Sequence, residues 1–148
     1  MSTKSQSVVD KKLVLPRWWY LLPAYLTLWT VVFSVYGYVD GNGMMEVFGI
    51  DTGGASDFIL LNSAGRYIAL AVALVLGVWV FRTYHSTLTA LLARFAMDLM
   101  DVWAGYQSGV LSDVSGVVQS MALFLLPNLV SLYFLWYYYR KRMRVTTA

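Results

Sequence analysis

Four long apolar runs separated by polar segments dominate the pattern of hydrophobic and polar positions along the chain. They cover roughly residues 18–39, 58–82, 87–111 and 115–139. A run of about 20 apolar residues is long enough to cross the hydrocarbon core of a bilayer as a helix. Because the second and third connections are short, consecutive helices should pack as antiparallel neighbours. The pattern predicts an all-α fold, an antiparallel up-down bundle of four transmembrane helices.

Composition agrees with a membrane-embedded protein. Of the 148 residues, 59% are hydrophobic and only 13% are charged, whereas about 25% are charged in a typical soluble domain. We expect a basic segment over 1–17, the bundle over 18–139 and a basic tail over 140–148. The first run begins after Arg17 and is too long for the apolar region of a cleavable signal, so it is predicted to remain as the first helix.

The basic residues are sorted by membrane side if the four helices alternate in direction. Nine of the eleven flank the ends that would share one side: Lys4, Lys11, Lys12, Arg17, Arg82, Arg140, Lys141, Arg142 and Arg144. The two opposite connections carry Asp40, Glu46, Asp51, Asp57 and Asp113, and neither Lys nor Arg. The positive-inside rule then places both termini in the cytoplasm. The sequence therefore predicts a multi-pass protein of a bacterial-type inner membrane, and the net charge of +3 does not indicate nucleic-acid binding.

Two further patterns predict how the helices sit. Gly65, Ala69, Ala73 and Gly77 recur every four residues, a spacing typical of close helix contacts in membranes. Trp18, Trp19 and Tyr20 are expected to form an aromatic belt at the cytoplasmic interface. The first external connection, 39–57, is rich in glycine with an apolar centre, and it is interpreted as a lid.

Four charged residues lie within the apolar runs: Arg66 in the second, and Arg94, Asp98 and Asp101 in the third. Each costs roughly 2.5–3.5 kcal/mol on membrane insertion scales, and such residues usually face a protein interior or a functional cavity. The spacing i, i+4, i+7 puts the three on one face of a helix. We expect two neutral ion pairs, Arg66 with Asp101 and Arg94 with Asp98.

Amide side chains extend this polar face into a predicted chamber that opens outward. Asn62, Gln107 and Gln119 should lie toward the outer end, and Asn128 at mid-depth. The residues assigned to ligand binding are Arg66, Arg94, Asn62 and Asn128. Arginine suits bidentate contacts to a carbonyl, carboxylate or phosphate. Asp98 and Asp101 repel each other one turn apart, so one of them could hold a proton near neutral pH and act in acid/base catalysis.

Three functions remain open at this point. The first is binding of a lipophilic small molecule that is quinone-, isoprenoid- or lipid-like. The second is a membrane enzyme of the isomerase, cyclase or epoxide-opening type, using Asp98 and Asp101. In the third, a non-catalytic accessory subunit, the ion pairs only fix the helix register. A homo-oligomer and a membrane-complex partner are both compatible with the sequence.

The lack of cysteine and the single histidine, His85, exclude several kinds of site. Disulfides, thiolate catalysis, cysteine-ligated metals and a bis-histidine haem within one chain all need residues that are missing. No metal and no cofactor is predicted.

The motifs Asn62-x-x-Gly65-Arg66 and Arg94-x-x-x-Asp98-x-x-Asp101 resemble those of the DoxX-like small membrane proteins. The resemblance covers about residues 58–110. It implies a four-helix bundle in which Arg66, Arg94, Asp98 and Asp101 share an inner site. Members of that group are linked to quinone-coupled redox complexes and to accessory or chaperone roles, so the resemblance implies no single activity. The chain itself offers little for redox chemistry, because it has no cysteine and no histidine pair.

Overall fold

A computed structural model of the protein describes residues 12–43, 57–107, 118–119 and 121–147. Helix is the only regular secondary structure within these ranges, so the all-α prediction is confirmed for them. The long helices are α1 (Leu21–Val39), α2 (Asp57–Leu74), α3 (Tyr84–Gln107) and α4 (Leu126–Thr147). A 3-10 turn, Arg17–Tyr20, leads into α1, and π-helical segments follow α2 (Val75–Phe81) and precede α4 (Met121–Leu125). Most of the predicted lid, residues 44–56, lies outside the described residues.

Within the part of the chain that the structure describes, three helical stretches are long and apolar enough to cross a membrane, namely Arg17–Val39, Asn62–Phe81 and Met121–Lys141. They correspond to the first, second and fourth predicted spans, and they support a membrane protein. The third predicted span corresponds to α3, which has 24 residues and a length of about 36 Å. That helix is not among the three stretches. Its three charged residues lower its hydropathy, although its length is sufficient.

Each long helix packs against the helices before and after it in the chain, and α4 returns to contact α1. The buried face of α1 contains Ser34 together with Pro23, Leu26, Thr30, Phe33 and Gly37. The 3-4-3-4 spacing of the last five is the one that keeps a single stripe of a helix turned toward a partner. On α3 the buried residues include the predicted Arg94 and Asp98, so the inward face of that helix follows the sequence pattern at these two positions.

The π-helical segment after α2 comes very close to α3 at Gly77. A Cβ added there would lie 2.6 Å from the Ser86 backbone oxygen and 2.8 Å from the Ala90 Cβ. The Gly77 carbonyl, inside the π-helical segment, accepts hydrogen bonds from Thr87 Oγ1 (2.9 Å) and Ser86 Oγ (3.2 Å). A Cβ at Gly65 would meet nothing within 4 Å. The predicted small-residue contact is therefore correct at Gly77 and wrong at Gly65, which lies on the exposed face of α2.

The residues before α1 pack against the same end of the helices as Arg82. Leu13 and Leu15 are 7% and 8% exposed and belong to the core cluster that includes Trp19, while Val14 between them is 77% exposed. The backbone N–H of Leu13 donates to the Arg82 carbonyl at 2.6 Å. Residues 12–16 thus form a strap over this end of the bundle, whereas the sequence predicted only a basic segment there.

Trp19 is not an interfacial residue. It is fully buried, and its indole Nε1 donates to the Ser131 carbonyl on α4 at 3.1 Å. Trp18, in contrast, is 43% exposed. The prediction of an interfacial position is therefore wrong for Trp19, which lies in the core and connects the start of α1 to α4.

Gly77→Ala should destabilise the protein by about 1–3 kcal/mol, because the new methyl group overlaps backbone rather than a flexible side chain. Gly65→Ala is the matched control, and it should leave stability unchanged or slightly raised, since the site is open and alanine favours helix. Thermal unfolding of both variants in the same detergent measures the difference. Equal unfolding temperatures would contradict the close approach at Gly77.

Leu13→Ala and Leu15→Ala should each lower stability by about 2–5 kcal/mol if the strap is part of the core. Val14→Ala, between them, should change stability by less than about 0.5 kcal/mol because its side chain is exposed. Thermal unfolding combined with limited proteolysis of residues 12–16 tests this alternation. The strap is not a packed element if the three variants behave alike.

Candidate functional site

Polar side chains from all four long helices meet around Arg94. Thr30 comes from α1, Tyr67 from α2, Asp98 from α3 and Asn128 from α4. The Arg94 side chain is 1% exposed, Asp98 is 5% exposed, and Thr30 and Asn128 are fully buried. Such groups are stable in an apolar interior only when they are hydrogen-bonded. We call these five residues together with Asp101 the Arg94 cluster.

The centre of the cluster is a bidentate ion pair one turn apart on α3. Arg94 Nε donates to Asp98 Oδ2 at 3.0 Å, and Arg94 Nη2 lies 2.7 Å from Asp98 Oδ1. Arg94 Nη1 donates to Thr30 Oγ1, whose own hydroxyl donates to the Leu26 carbonyl at 2.6 Å. The guanidinium also lies over the Tyr67 ring, 5.8 Å from its centroid. The predicted Arg94–Asp98 pair is therefore formed. Its guanidinium also contacts the Thr30 hydroxyl on α1 and the Tyr67 ring on α2.

Asn128 joins α4 to the turn of α3 that carries Arg94. Its amide is oriented to donate to the Leu91 carbonyl at 3.2 Å and to accept from the Phe95 N–H at 2.9 Å. Next to it, Pro127 has no N–H to continue the helical ladder. The π-helical turn Met121–Leu125 directly precedes this region, which is where a helix accommodates such a break.

Asp101 lies one turn beyond Asp98 and is only partly buried. The Tyr67 hydroxyl donates to Asp101 Oδ2 at 2.6 Å. The predicted partner, Arg66, is on the exposed face of α2, and no ion pair joins it to Asp101 among the described residues. Successive residues of a helix are rotated by about 100°. When Tyr67 turns inward, its neighbour Arg66 therefore turns outward, and the predicted pair is wrong.

This rearrangement changes the charge balance of the interior. In the sequence, Arg66 is the only Lys or Arg between Arg17 and Arg82. Arg94 is the only one between Arg82 and Arg140. With Arg66 outside, the Arg94 cluster contains one positive and two negative groups, so one negative charge is in excess. Asp98 is held by Arg94, so the excess charge falls on the more accessible Asp101. A proton or a cationic or hydrogen-bond-donating ligand would balance it.

An aromatic wall adjoins Tyr67. The ring of Phe33 lies 5.7 Å from that of Tyr67, and it also contacts Trp29 at 5.5 Å and Phe124 at 5.8 Å, measured between centroids. Sequence reasoning missed Tyr67 and these rings as site residues. The one available signal was the position of Phe33 next to Ser34 on the inward stripe of α1.

The other predicted site residues are not gathered into the cluster. Asn62 on α2, Gln107 on α3 and Gln119 have exposed side chains, and so does Arg66. Within the described ranges, the site therefore combines the predicted Arg94, Asp98, Asp101 and Asn128 with Thr30 and Tyr67. In place of the predicted polar chamber, the described residues form a compact network in which Asp101 is the one partly accessible carboxylate.

Comparisons with protein-family models, with curated proteins and with solved structures find no match to the chain. The resemblance to DoxX-like proteins accordingly stays a prediction from the two short motifs.

Arg94→Leu alone, or Asp98→Leu alone, should destabilise the protein by about 3–5 kcal/mol, because each leaves the other charge buried without its partner. The double variant Arg94→Leu/Asp98→Leu should be much less destabilised than the sum of the two single variants, since it removes both charges. Arg66→Leu is the control and should have little effect. Unfolding in detergent measures all four, and additive effects of the single changes would contradict the pairing.

Proposed function

We propose that this chain is a four-helix transmembrane protein that binds a lipophilic small molecule at Asp101 and Tyr67. In this proposal both termini are cytoplasmic, all four long helices cross the bilayer, and the Arg94–Asp98 pair holds the binding groups in place.

The main objection to four spans is the charge on α3, and the burial of two of its three charged residues supports the proposal against it. Arg94 and Asp98 point into the protein, so they do not meet lipid. Among the exposed residues of α3, Leu92, Leu99, Met100, Trp103 and Tyr106 are large and hydrophobic, whereas the polar His85 and Gln107 lie near its two ends. A hydropathy average counts buried and exposed residues equally, whereas a bilayer contacts only the exposed ones. The exposed surface of α3 is therefore more compatible with a bilayer than the hydropathy averaged over all its residues indicates.

The basic residues support the proposed orientation. Arg17 precedes α1, Arg82 precedes α3, and Arg140 and Lys141 lie near the end of α4, so all four occupy one end of the helices. The positive-inside rule assigns that end to the cytoplasm. Asp101 is then about 26 Å from the start of α3, in the outer half of the bilayer.

The Asp101 carboxylate carries the binding proposal, because it is partly accessible and forms no ion pair among the described residues. An ionised Asp101 accepts hydrogen bonds from a hydroxyl or an ammonium group, and a protonated Asp101 donates one to a carbonyl. Either form suits the polar group of a quinone-, isoprenoid- or lipid-like molecule. The ring of Phe33, which contacts Tyr67, and that of Phe124, which contacts Phe33, would take part of its apolar body.

One observation favours an acid/base enzyme as a second candidate. The Tyr67 hydroxyl is 2.6 Å from the Asp101 carboxylate, close enough for the pair to transfer a proton to or from a bound substrate. In that case Asp101 and Tyr67 would be the catalytic residues, and Asp98 would position Arg94. The accessory-subunit hypothesis instead needs no ligand at all.

Mass spectrometry of the lipophilic molecules that co-purify in mild detergent tests the proposal. Asp101→Asn and Tyr67→Phe should reduce retention of the bound molecule by about tenfold or more, because hydrogen bonds to charged groups contribute about 1.5–3 kcal/mol. Arg66→Gln, at an exposed position one residue away, is the matched control and should retain it.

The outcomes separate the three hypotheses when unfolding temperature is recorded for each variant. Loss of retention with normal stability supports binding, and turnover of the retained molecule by wild type but not by Asp101→Asn identifies an enzyme. If wild type retains no molecule, or if Asp101→Asn and Arg66→Gln retain it equally, the binding site is not at Asp101.

A further inference from the structure

A groove of about 420 Å³ lies on the exposed surface of the bundle, where the end of α2 and the π-helical segment after it pass the first half of α3. Four small residues, Ala73, Gly77, Ala90 and Ala93, line its length, and Phe81 and His85 lie toward one end. None of its lining residues belongs to the Arg94 cluster. The groove is therefore a second concave surface, separate from the proposed ligand site.

The close approach at Gly77 explains why this groove exists. The backbones of the two helices meet there, and the neighbouring side chains on the outer surface are too small to fill the angle between them. The lining is almost entirely apolar. If these helices cross a bilayer, as proposed above, the groove opens sideways into the hydrocarbon region. Its volume falls in the range of pockets that bind small molecules.

The charge at one end of the groove indicates which lipid would occupy it. His85 is the second residue of α3, at the basic end of the helices. That end carries the cations Lys12, Arg17, Arg82, Arg140 and Lys141. The parts of 12–20, 81–88 and 136–141 that form it contain no Asp or Glu. Clusters of Lys and Arg next to a membrane attract anionic lipid head groups.

We infer that this groove binds one acyl chain of an anionic phospholipid from the leaflet at the basic end, with the phosphate near His85. Small side chains leave room for the chain, and the apolar lining matches it. The cations at the same end of the helices, of which Arg82 directly follows the groove residue Phe81 in the chain, complement the head group. The inference rests on the transmembrane arrangement proposed above and not on the ligand at Asp101.

Native mass spectrometry of the protein released from nanodiscs tests this inference. Nanodiscs of phosphatidylglycerol should yield protein with one retained lipid, and nanodiscs of phosphatidylcholine should yield much less. Ala93→Leu fills the groove and should abolish the retained phosphatidylglycerol. Ala104→Leu is the matched control, because Ala104 is exposed on nearly the same face of α3 but nearer its other end. It should retain the lipid as wild type does.

Two further variants separate the parts of the inference. His85→Gln should weaken the preference for phosphatidylglycerol while a chain is still retained. Loss of the lipid in Asp101→Asn with full retention in Ala93→Leu would place it at the Asp101 site instead, so failures of the two proposals are distinguishable. If Ala93→Leu does not fold, Ala73→Leu fills the same groove from the other helix.

Three results would overturn the inference. Equal retention of the two phospholipids by wild type would remove the head-group selectivity. Equal retention by Ala93→Leu and Ala104→Leu would show that the groove is not the site. Release of a dimer that Ala93→Leu converts to monomer would mean that a second copy of the chain occupies the groove instead.

Discussion

A buried guanidinium imposes the strongest constraint on this structure. Arg94 is almost completely inaccessible, and a charge in that position is tolerated only when it is paired and its hydrogen-bonding groups have partners. The partners come from different helices. Asp98 supplies the opposite charge, Thr30 on α1 accepts a hydrogen bond, and the Tyr67 ring on α2 faces the cation. Asn128 fixes α4 to the same turn of α3. Sliding or rotating any one helix would break a contact to this level of the bundle.

Sequence patterns predict the faces of the helices that are determined by their own spacing. On α3, the inward stripe follows from charged residues that recur with helical periodicity, and it includes Arg94 and Asp98. The pairing of Arg66 with Asp101 depended instead on the rotation of α2 about its axis. That rotation is set by the contact of Gly77 with Ser86, a tertiary constraint that the four-residue repeat around Gly65 does not reveal. Rotating α2 about its axis by one residue, about 100°, would bring Arg66 to the inward position that Tyr67 occupies.

The basic end of the bundle shows a second limit of pattern reading. Leu13 and Leu15 alternate with the exposed Val14, but three residues are too few to distinguish a packed strap from a chance alternation. Trp19 belongs to an aromatic run typical of interfaces, and only the tertiary structure shows its bond to Ser131. Together these apolar residues fill the core near the basic end. The polar groups are concentrated farther along the helices, on the side where Asp101 is partly accessible.

Asp101 is the residue that a purely structural network would not need. Arg94, Asp98, Thr30 and Asn128 already connect three helices, and the ion pair among them is neutral. If α3 crosses the bilayer as proposed, a further carboxylate on it costs roughly 2.5–3.5 kcal/mol, and Asp98 repels it. Its only described hydrogen-bond donor is a neutral phenol, which lowers that cost without cancelling the charge. A bound proton or a ligand group with a donor or a positive charge would cancel it. All the charged groups around Arg94 are therefore paired, whereas Asp101 has no partner of opposite charge among the described residues. This difference favours the proposed binding role over a purely structural one.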